Sequence, residues 1–113
     1  MLHTAITAED IASLAEQAFF KTDALIAGCW QGSTDGDTFA VENPATDEVI
    51  ALVANCGAIE TEQAIAAASD ALAGWAQTPA KSRAKILRTW FDLIIENEQD
   101  LARLLTIEQG KPL

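Results

Sequence analysis

Apolar and polar positions follow two different periods along this chain, and the change between them divides it. Near the start, Ile11, Leu14, Ala15, Ala18 and Phe19 recur at helical spacing. Thr7-Ala8-Glu9-Asp10 precedes them with a capping-box-like pattern, a Thr followed by an acid three residues on. This predicts a short amphipathic helix over roughly 8–20. Residues 24–30 (ALIAGCW) read as a strand, and residues 31–37 as a loop rich in turn formers. Residues 38–42 (TFAVE) and 48–55 (EVIALVAN) are two further strands, the latter rich in β-branched residues. Between them Pro44 presets φ while Asn43 and Asp47 accept turn geometry, so these two strands should form a hairpin.

From Gly57 the period becomes 3.6. Ala64, Ala68, Ala71, Leu72 and Trp75 share one face. Glu60 and Glu62 sit in the first turn of that helix, where negative charge suits the dipole. Thr78-Pro79 predicts a new start, with Thr as N-cap and Pro at the first helical position. Ile86, Leu87, Trp90, Leu93 and Ile94 form the stripe of this second helix. Asn97 caps a third, along which Leu101, Leu104, Leu105 and Glu108 stack. Gly110 fits its C′ position and Pro112 lies just beyond. Strands come first and helices follow. A parallel α/β sheet would need strands after these helices, so the pattern reads as the opening section of a larger fold.

Composition narrows the function classes. Half of the 113 residues are apolar, enough for a core. No apolar run approaches the ~20 residues of a membrane span. Seven cations against 17 acids give a net charge of −10, which removes any electrostatic reason to bind nucleic acid or an anionic membrane. The first residues have neither the basic and apolar regions of a secretory leader nor the Arg-rich character of a mitochondrial one, so a cytoplasmic location is expected. There Cys29 and Cys56 should stay reduced, unless their strands lie side by side.

The candidate chemistry is sparse. His3 is the sole histidine and falls in the terminal stretch, so no Cys-His or Ser-His-Asp site can be assembled. Cys29 and Cys56 fall among apolar strand residues and read as small buried hydrophobes. No phosphate-binding glycine motif occurs, and Gly32 and Gly36 read as turn glycines. Asp35, Asp37 and Asp47 lack calcium-loop spacing and read as solvated. Lys81, Arg83, Lys85 and Arg88 form either a solvated helix face or a surface for an anionic partner. Trp75, Trp90 and Phe91 read as core or interdomain packing. Glu108 falls on an otherwise apolar face. It either pairs with Lys111 at i,i+3 or supplies an oxygen to a monovalent cation.

The order of short motifs resembles one family. Gly28-Cys29-Trp30 is followed by Asn43-Pro44-Ala45-Thr46 with Val49-Ile50. Then come Ala64-Ile65, Ala67-Ala68, Trp75 and the run from Arg83 to Arg88 (RAKILR). Last is the run from Leu104 to Leu113 (LLTIEQGKPL). From about residue 24 onward the chain is similar to the N-terminal segment of the aldehyde dehydrogenase superfamily, nearest in look to members that act on succinate semialdehyde.

That resemblance implies a Rossmann-like α/β fold whose cofactor domain would begin here. Residues 1–22 would be an extension with a short helix, and residues 23–113 a truncated N-terminal part of the cofactor-binding domain. It implies NAD or NADP as cofactor, a small aldehyde as substrate and a homodimer or homotetramer. It also implies oxidation of succinate semialdehyde to succinate through a cysteine thiohemiacetal and thioester. The catalytic cysteine, general base and cofactor loops of the family lie beyond residue 113, and neither Cys29 nor Cys56 occupies the catalytic position. This section alone should therefore be inactive. Some members hold a monovalent cation at positions that correspond here to Val41, Glu42 and Glu108. The alternatives are another semialdehyde or betaine-type aldehyde dehydrogenase, or a free-standing acidic helical module that binds a protein partner.

Overall fold

The computed structural model describes residues 19–112. The expected N-terminal helix falls almost wholly outside the described residues, as does His3. Seven elements follow in order: β1 (Ala24–Ile26), β2 (Cys29–Gln31), β3 (Thr38–Glu42), β4 (Val49–Ala54), α1 (Ala58–Gln77), α2 (Ala80–Glu96) and α3 (Glu98–Gln109). They form two separate two-stranded antiparallel sheets and three consecutive helices. This is the order expected from the switch of period.

The stretch 24–30 corrects one expectation. It is a hairpin and not a single strand, with Ile26 opposite Cys29, Leu25 opposite Trp30 and Ala24 opposite Gln31. Ala27 (φ 51°) and Gly28 (φ 78°) make the two-residue turn. Positive φ at both central residues is the type I′ pattern, whose twist matches that of the flanking strands. Gly28 adopts it freely, whereas Ala27 carries a Cβ against the following carbonyl.

The second hairpin is as expected. Thr38 pairs with Ala54 and Val41 with Ala51, and the register then shifts so that Glu42 meets Val49. The connecting loop is organised by Asn43, which is 1% exposed. Its Oδ1 accepts the Ala45 N–H at 2.9 Å. Its carbonyl accepts the N–H of Asp47 at 2.8 Å, and its own N–H donates to the Glu48 carbonyl at 2.9 Å. One buried side chain thus closes the loop from inside, as Asx turns do. The hairpin is tied to the preceding chain, because the Ala54 N–H donates to the Thr22 carbonyl at 2.9 Å.

The helix boundaries follow backbone chemistry. Gly57 is the N-cap of α1 and Thr78 its C-cap, so Pro79, not Thr78, caps α2. Asn97 ends α2 and begins α3, but its side-chain amide donates back to the Leu93 carbonyl at 2.8 Å. Gly110 closes α3 in the left-handed conformation (φ 68°), as expected for a C-terminal glycine.

Helix α1 packs on β1, and Gln31 donates to Gln63 at 3.2 Å across the β2–α1 gap. Among the described residues, the buried apolar side chains are Ile26 in β1 and Ile107 in α3. The other apolar stripes stay open. Trp75, Trp90 and Phe91 are 42%, 62% and 49% exposed, so they are not part of the core among the described residues.

Candidate functional site

Two concavities among the described residues hold acidic side chains. The larger is an open cleft of about 520 Å³ where the loop after β2 meets the start of α1. Thr34, Asp35 and Asp37 line it from the loop, and Cys56, Gly57 and Glu60 from the helix entry. Glu60, 4% exposed, organises this region. Its Oε2 accepts the Gly57 N–H at 2.8 Å, the return half of a capping box whose glycine has no side chain to complete it. Its Oε1 accepts the Thr34 N–H at 2.6 Å and also the Thr34 hydroxyl.

The Thr34 hydroxyl, then the Gly57 and Thr34 amides, hold the Glu60 carboxyl down to about 2 from an ordinary 4.5. A carboxylate so fully engaged is a poor general base. It fastens the loop to the helix. Around it the loop makes its own bonds: Asp35 accepts the Asp37 N–H at 2.9 Å, and Asp37 accepts the Asn55 amide at 2.7 Å. The solvated, turn-forming reading of these aspartates therefore stands. Sequence reasoning placed Glu60 in the first turn of the helix but missed its tie to Thr34. The available signal was an acid at the third helical position.

The smaller cavity, about 110 Å³, lies between the β3–β4 hairpin and α3. Val41 and Glu108 both line it, with Lys21 and the apolar Phe20, Val53 and Leu104. Two of the three expected cation-site residues therefore meet in space. Glu42, the next residue along β3, is exposed and does not line this cavity. Among the described residues no cluster of three or more His, Cys, Asp or Glu side chains could hold a metal ion. No ion pair joins Glu108 to Lys111, whereas Arg88 and Asp92 approach to 3.4 Å on the surface of α2.

The cysteines also correct an expectation. Cys29 is exposed at the start of β2 and Cys56 half-buried in the link after β4, and both are free. Neither is a buried strand hydrophobe. Cys29 follows the type I′ turn at a hairpin edge, and Cys56 lies beyond the last pair of the β3–β4 ladder.

Two hairpins feeding three helices define an α/β protein. The aldehyde dehydrogenase family profile matches residues 30–113. The chain is 52% identical over 100 residues to the glutarate-semialdehyde dehydrogenase of Pseudomonas aeruginosa, which covers 88% of this chain and 21% of the relative. It is 47% identical, with the same coverage, to the NADP(+) succinate-semialdehyde dehydrogenase of Escherichia coli. The crystal structure of betaine aldehyde dehydrogenase from Staphylococcus aureus in complex with NAD+ superposes with a TM-score of 0.81 at 33% identity, covering 89% of this chain and 21% of that one. The chain belongs to the aldehyde dehydrogenase family. It spans about a fifth of the length of the curated relatives it matches.

Proposed function

We propose that this chain is the N-terminal section of an NAD(P)-dependent dehydrogenase that oxidises a carboxylate-bearing aldehyde, with succinate semialdehyde as the leading substrate. The observation that carries this reading is the 47–52% identity, over 88% of the chain, to enzymes named for succinate and glutarate semialdehydes. The net reaction consumes aldehyde, water and oxidised nicotinamide and yields carboxylate, reduced nicotinamide and two protons. The nicotinamide, when bound, takes the hydride. Glutarate semialdehyde is the second substrate of this reading, because the 52% relative carries that name.

The chain's own part is structural. Residues 23–113 would open the cofactor domain, with residues 1–22 as an extension. Cys29 and Cys56 have no imidazole beside them among the described residues, so the nucleophile of a thioester route would come from outside this section. A monovalent cation held by Val41, Glu42 and Glu108 belongs to the same proposal, supported by the cavity that Val41 and Glu108 share. So does a cytosolic homodimer or homotetramer. Among the described residues no helix is long and apolar enough to cross a membrane.

The test is reduced-nicotinamide formation by the full enzyme that carries this chain, with succinate semialdehyde, glutarate semialdehyde and betaine aldehyde as substrates. The expected result is a higher kcat/KM for both carboxylate-bearing aldehydes than for the cationic one. Preference for betaine aldehyde, or no turnover of any of the three, overturns the reading.

A further inference from the structure

The loop after β2 holds the one Asp-Gly or Asn-Gly pair in the sequence, Asp35-Gly36. Every other Asp or Asn precedes a residue that carries a side chain. Asp35 and Gly36 are both exposed, and nothing lies within 4 Å of the place a Gly36 Cβ would take. A neighbouring group can therefore reach the Gly36 nitrogen without a steric barrier. The Asp35 carboxyl is that group. Its Oδ1 accepts the Asp37 N–H at 2.9 Å, which folds the side chain over the Gly36 peptide in an Asx turn. Asp70 and Asp92 sit instead inside α1 and α2, where the following amide is held in the helix.

The same loop is tied shut. The Gly36 N–H donates to the Ser33 carbonyl at 3.0 Å, and the Ser33 hydroxyl donates to the Asp37 carbonyl at 2.7 Å. Between them Thr34 is bonded through both its N–H and its hydroxyl to Glu60, which is 4% exposed on α1. While it is bonded to Ser33, the Gly36 amide cannot turn toward the Asp35 carboxyl. Reaction between the two therefore proceeds from an opened loop, and opening requires Thr34 to leave Glu60. Such local openings have their own equilibrium, set by the bonds that must break.

We propose that Asp35-Gly36 is a site of spontaneous isoaspartate formation, and that the bonds from Thr34 to Glu60 set its rate. In the opened loop the Gly36 nitrogen attacks Cγ of the protonated Asp35 carboxyl. A C–N bond forms, the C–OH bond breaks, and water leaves with the amide proton. The product is a five-membered succinimide. Water then adds to one of its two carbonyls. Opening at Cγ restores aspartate. Opening at the α-carbonyl breaks the original peptide bond and leaves the chain running through Cγ, with a free α-carboxylate. No electrons are gained or lost, and mass and charge are unchanged. The main chain is one methylene longer, and the side-chain oxygen that accepted the Asp37 N–H is now a peptide carbonyl. The altered loop cannot keep both its Asx turn and the Ser33–Gly36 bond, so the tie to α1 loosens with age. The proposal is independent of which aldehyde the full enzyme oxidises.

The test ages the full protein that carries this chain at neutral pH and physiological temperature. Isoaspartate is located by electron-transfer fragmentation of its peptides, which separates the two linkages by their backbone ions. The expected result is isoaspartate at residue 35 ahead of every other Asp or Asn of residues 1–113. Glu60 is remote in sequence from the reacting atoms, so Glu60→Gln leaves their intrinsic chemistry alone and weakens only the tie. It should raise the rate at residue 35 roughly tenfold, the effect of losing a charge-assisted bond from the closed loop. The same protein aged in urea covers the case in which that variant fails to fold, and it should convert faster than the native protein. No isoaspartate at residue 35 of the native protein, once the urea sample has reached its plateau, overturns the site. An unchanged rate in a folded Glu60→Gln variant, or equal rates in native and urea samples, overturns the role of the Thr34–Glu60 tie.

Discussion

Thr34 and Glu60, 26 positions apart, are joined twice: the backbone N–H of Thr34 donates to Glu60 Oε1 at 2.6 Å, and its hydroxyl donates to the same oxygen. With the Gly57 N–H at 2.8 Å, this makes one carboxylate both the cap of α1 and the anchor of the loop after β2. The carboxyl is held at about 2 against an ordinary 4.5. A depressed acid contributes stability that is present above its unfolded value and lost as pH falls through its folded one. Thermal unfolding of the chain, followed by circular dichroism, should therefore lose stability between pH 4.5 and about 2. Glu60→Gln should lower the melting temperature at neutral pH and flatten that acid limb. Thr34→Ala, which keeps the backbone donor, should do less of both. An unchanged acid limb in Glu60→Gln would refute the assignment.

Three glycines should answer alanine differently. At Gly110 (φ 68°) an added Cβ would lie 3.0 Å from Pro44 Cγ, because the Asn-Pro turn packs on the end of α3. At Gly28 (φ 78°) nothing lies within 4 Å. Gly28→Ala should cost about 1–2 kcal/mol from the left-handed backbone alone. Gly110→Ala should cost more, since Pro44 must also move. Gly74, inside α1 with open space around it, should give a gain of about 0.5–1 kcal/mol as alanine. Denaturant unfolding of the three variants gives the order directly.

Ala27 holds a left-handed conformation (φ 51°) in a two-residue turn where asparagine is favoured before glycine. Ala27→Asn should stabilise the β1–β2 hairpin by up to about 1 kcal/mol, since asparagine tolerates this region better than alanine. A loss of stability in the same unfolding assay would count against the type I′ assignment.

These variants also mark what was legible beforehand. Asn43-Pro44 between two β-rich runs announced the β3–β4 hairpin, because the turn chemistry is local. The β1–β2 hairpin was hidden, because Ala27 occupies a position whose usual signal is Asn, Asp or Gly. The boundaries of α1 and α3 were visible from period and glycine, but the tie from Glu60 to Thr34 was not. It depends on the loop folding back over 26 residues, which no periodicity records. Val41 and Glu108 were paired through resemblance, and the hairpin then placed both at one cavity. The stripe of α2 was equally plain in sequence. What covers it was not, because a stripe specifies a face without specifying a neighbour.

Asn43 should prove costly to replace. It is 1% exposed, and its Oδ1 accepts the Ala45 N–H at 2.9 Å. Asn43→Ala removes the acceptor and leaves that donor in a closed loop. A loss of about 0.5–1.5 kcal/mol is expected from the broken hydrogen bond. Serine, with an acceptor on a shorter side chain, should recover part of it. Equal losses for alanine and serine would show that volume, not the hydrogen bond, holds the loop.

The cavity shared by Val41 and Glu108 makes a prediction about salt. A ligand that binds only the folded state raises the melting temperature by mass action. If Val41, Glu42 and Glu108 hold a monovalent cation, potassium or sodium chloride should stabilise the protein more than choline chloride at equal ionic strength. Choline screens charge equally but is too large for a cavity of about 110 Å³ lined by Phe20, Val53 and Leu104. Glu108→Gln should abolish the difference between the salts while leaving general screening intact. Lys21 lines the same cavity, and its ammonium lies 5.5 Å from the Trp30 ring. Lys21→Ala should therefore strengthen the cation effect, because it removes a competing positive charge from the site. An identical response to all three salts would leave Glu108 as a surface carboxylate at the end of α3 and nothing more.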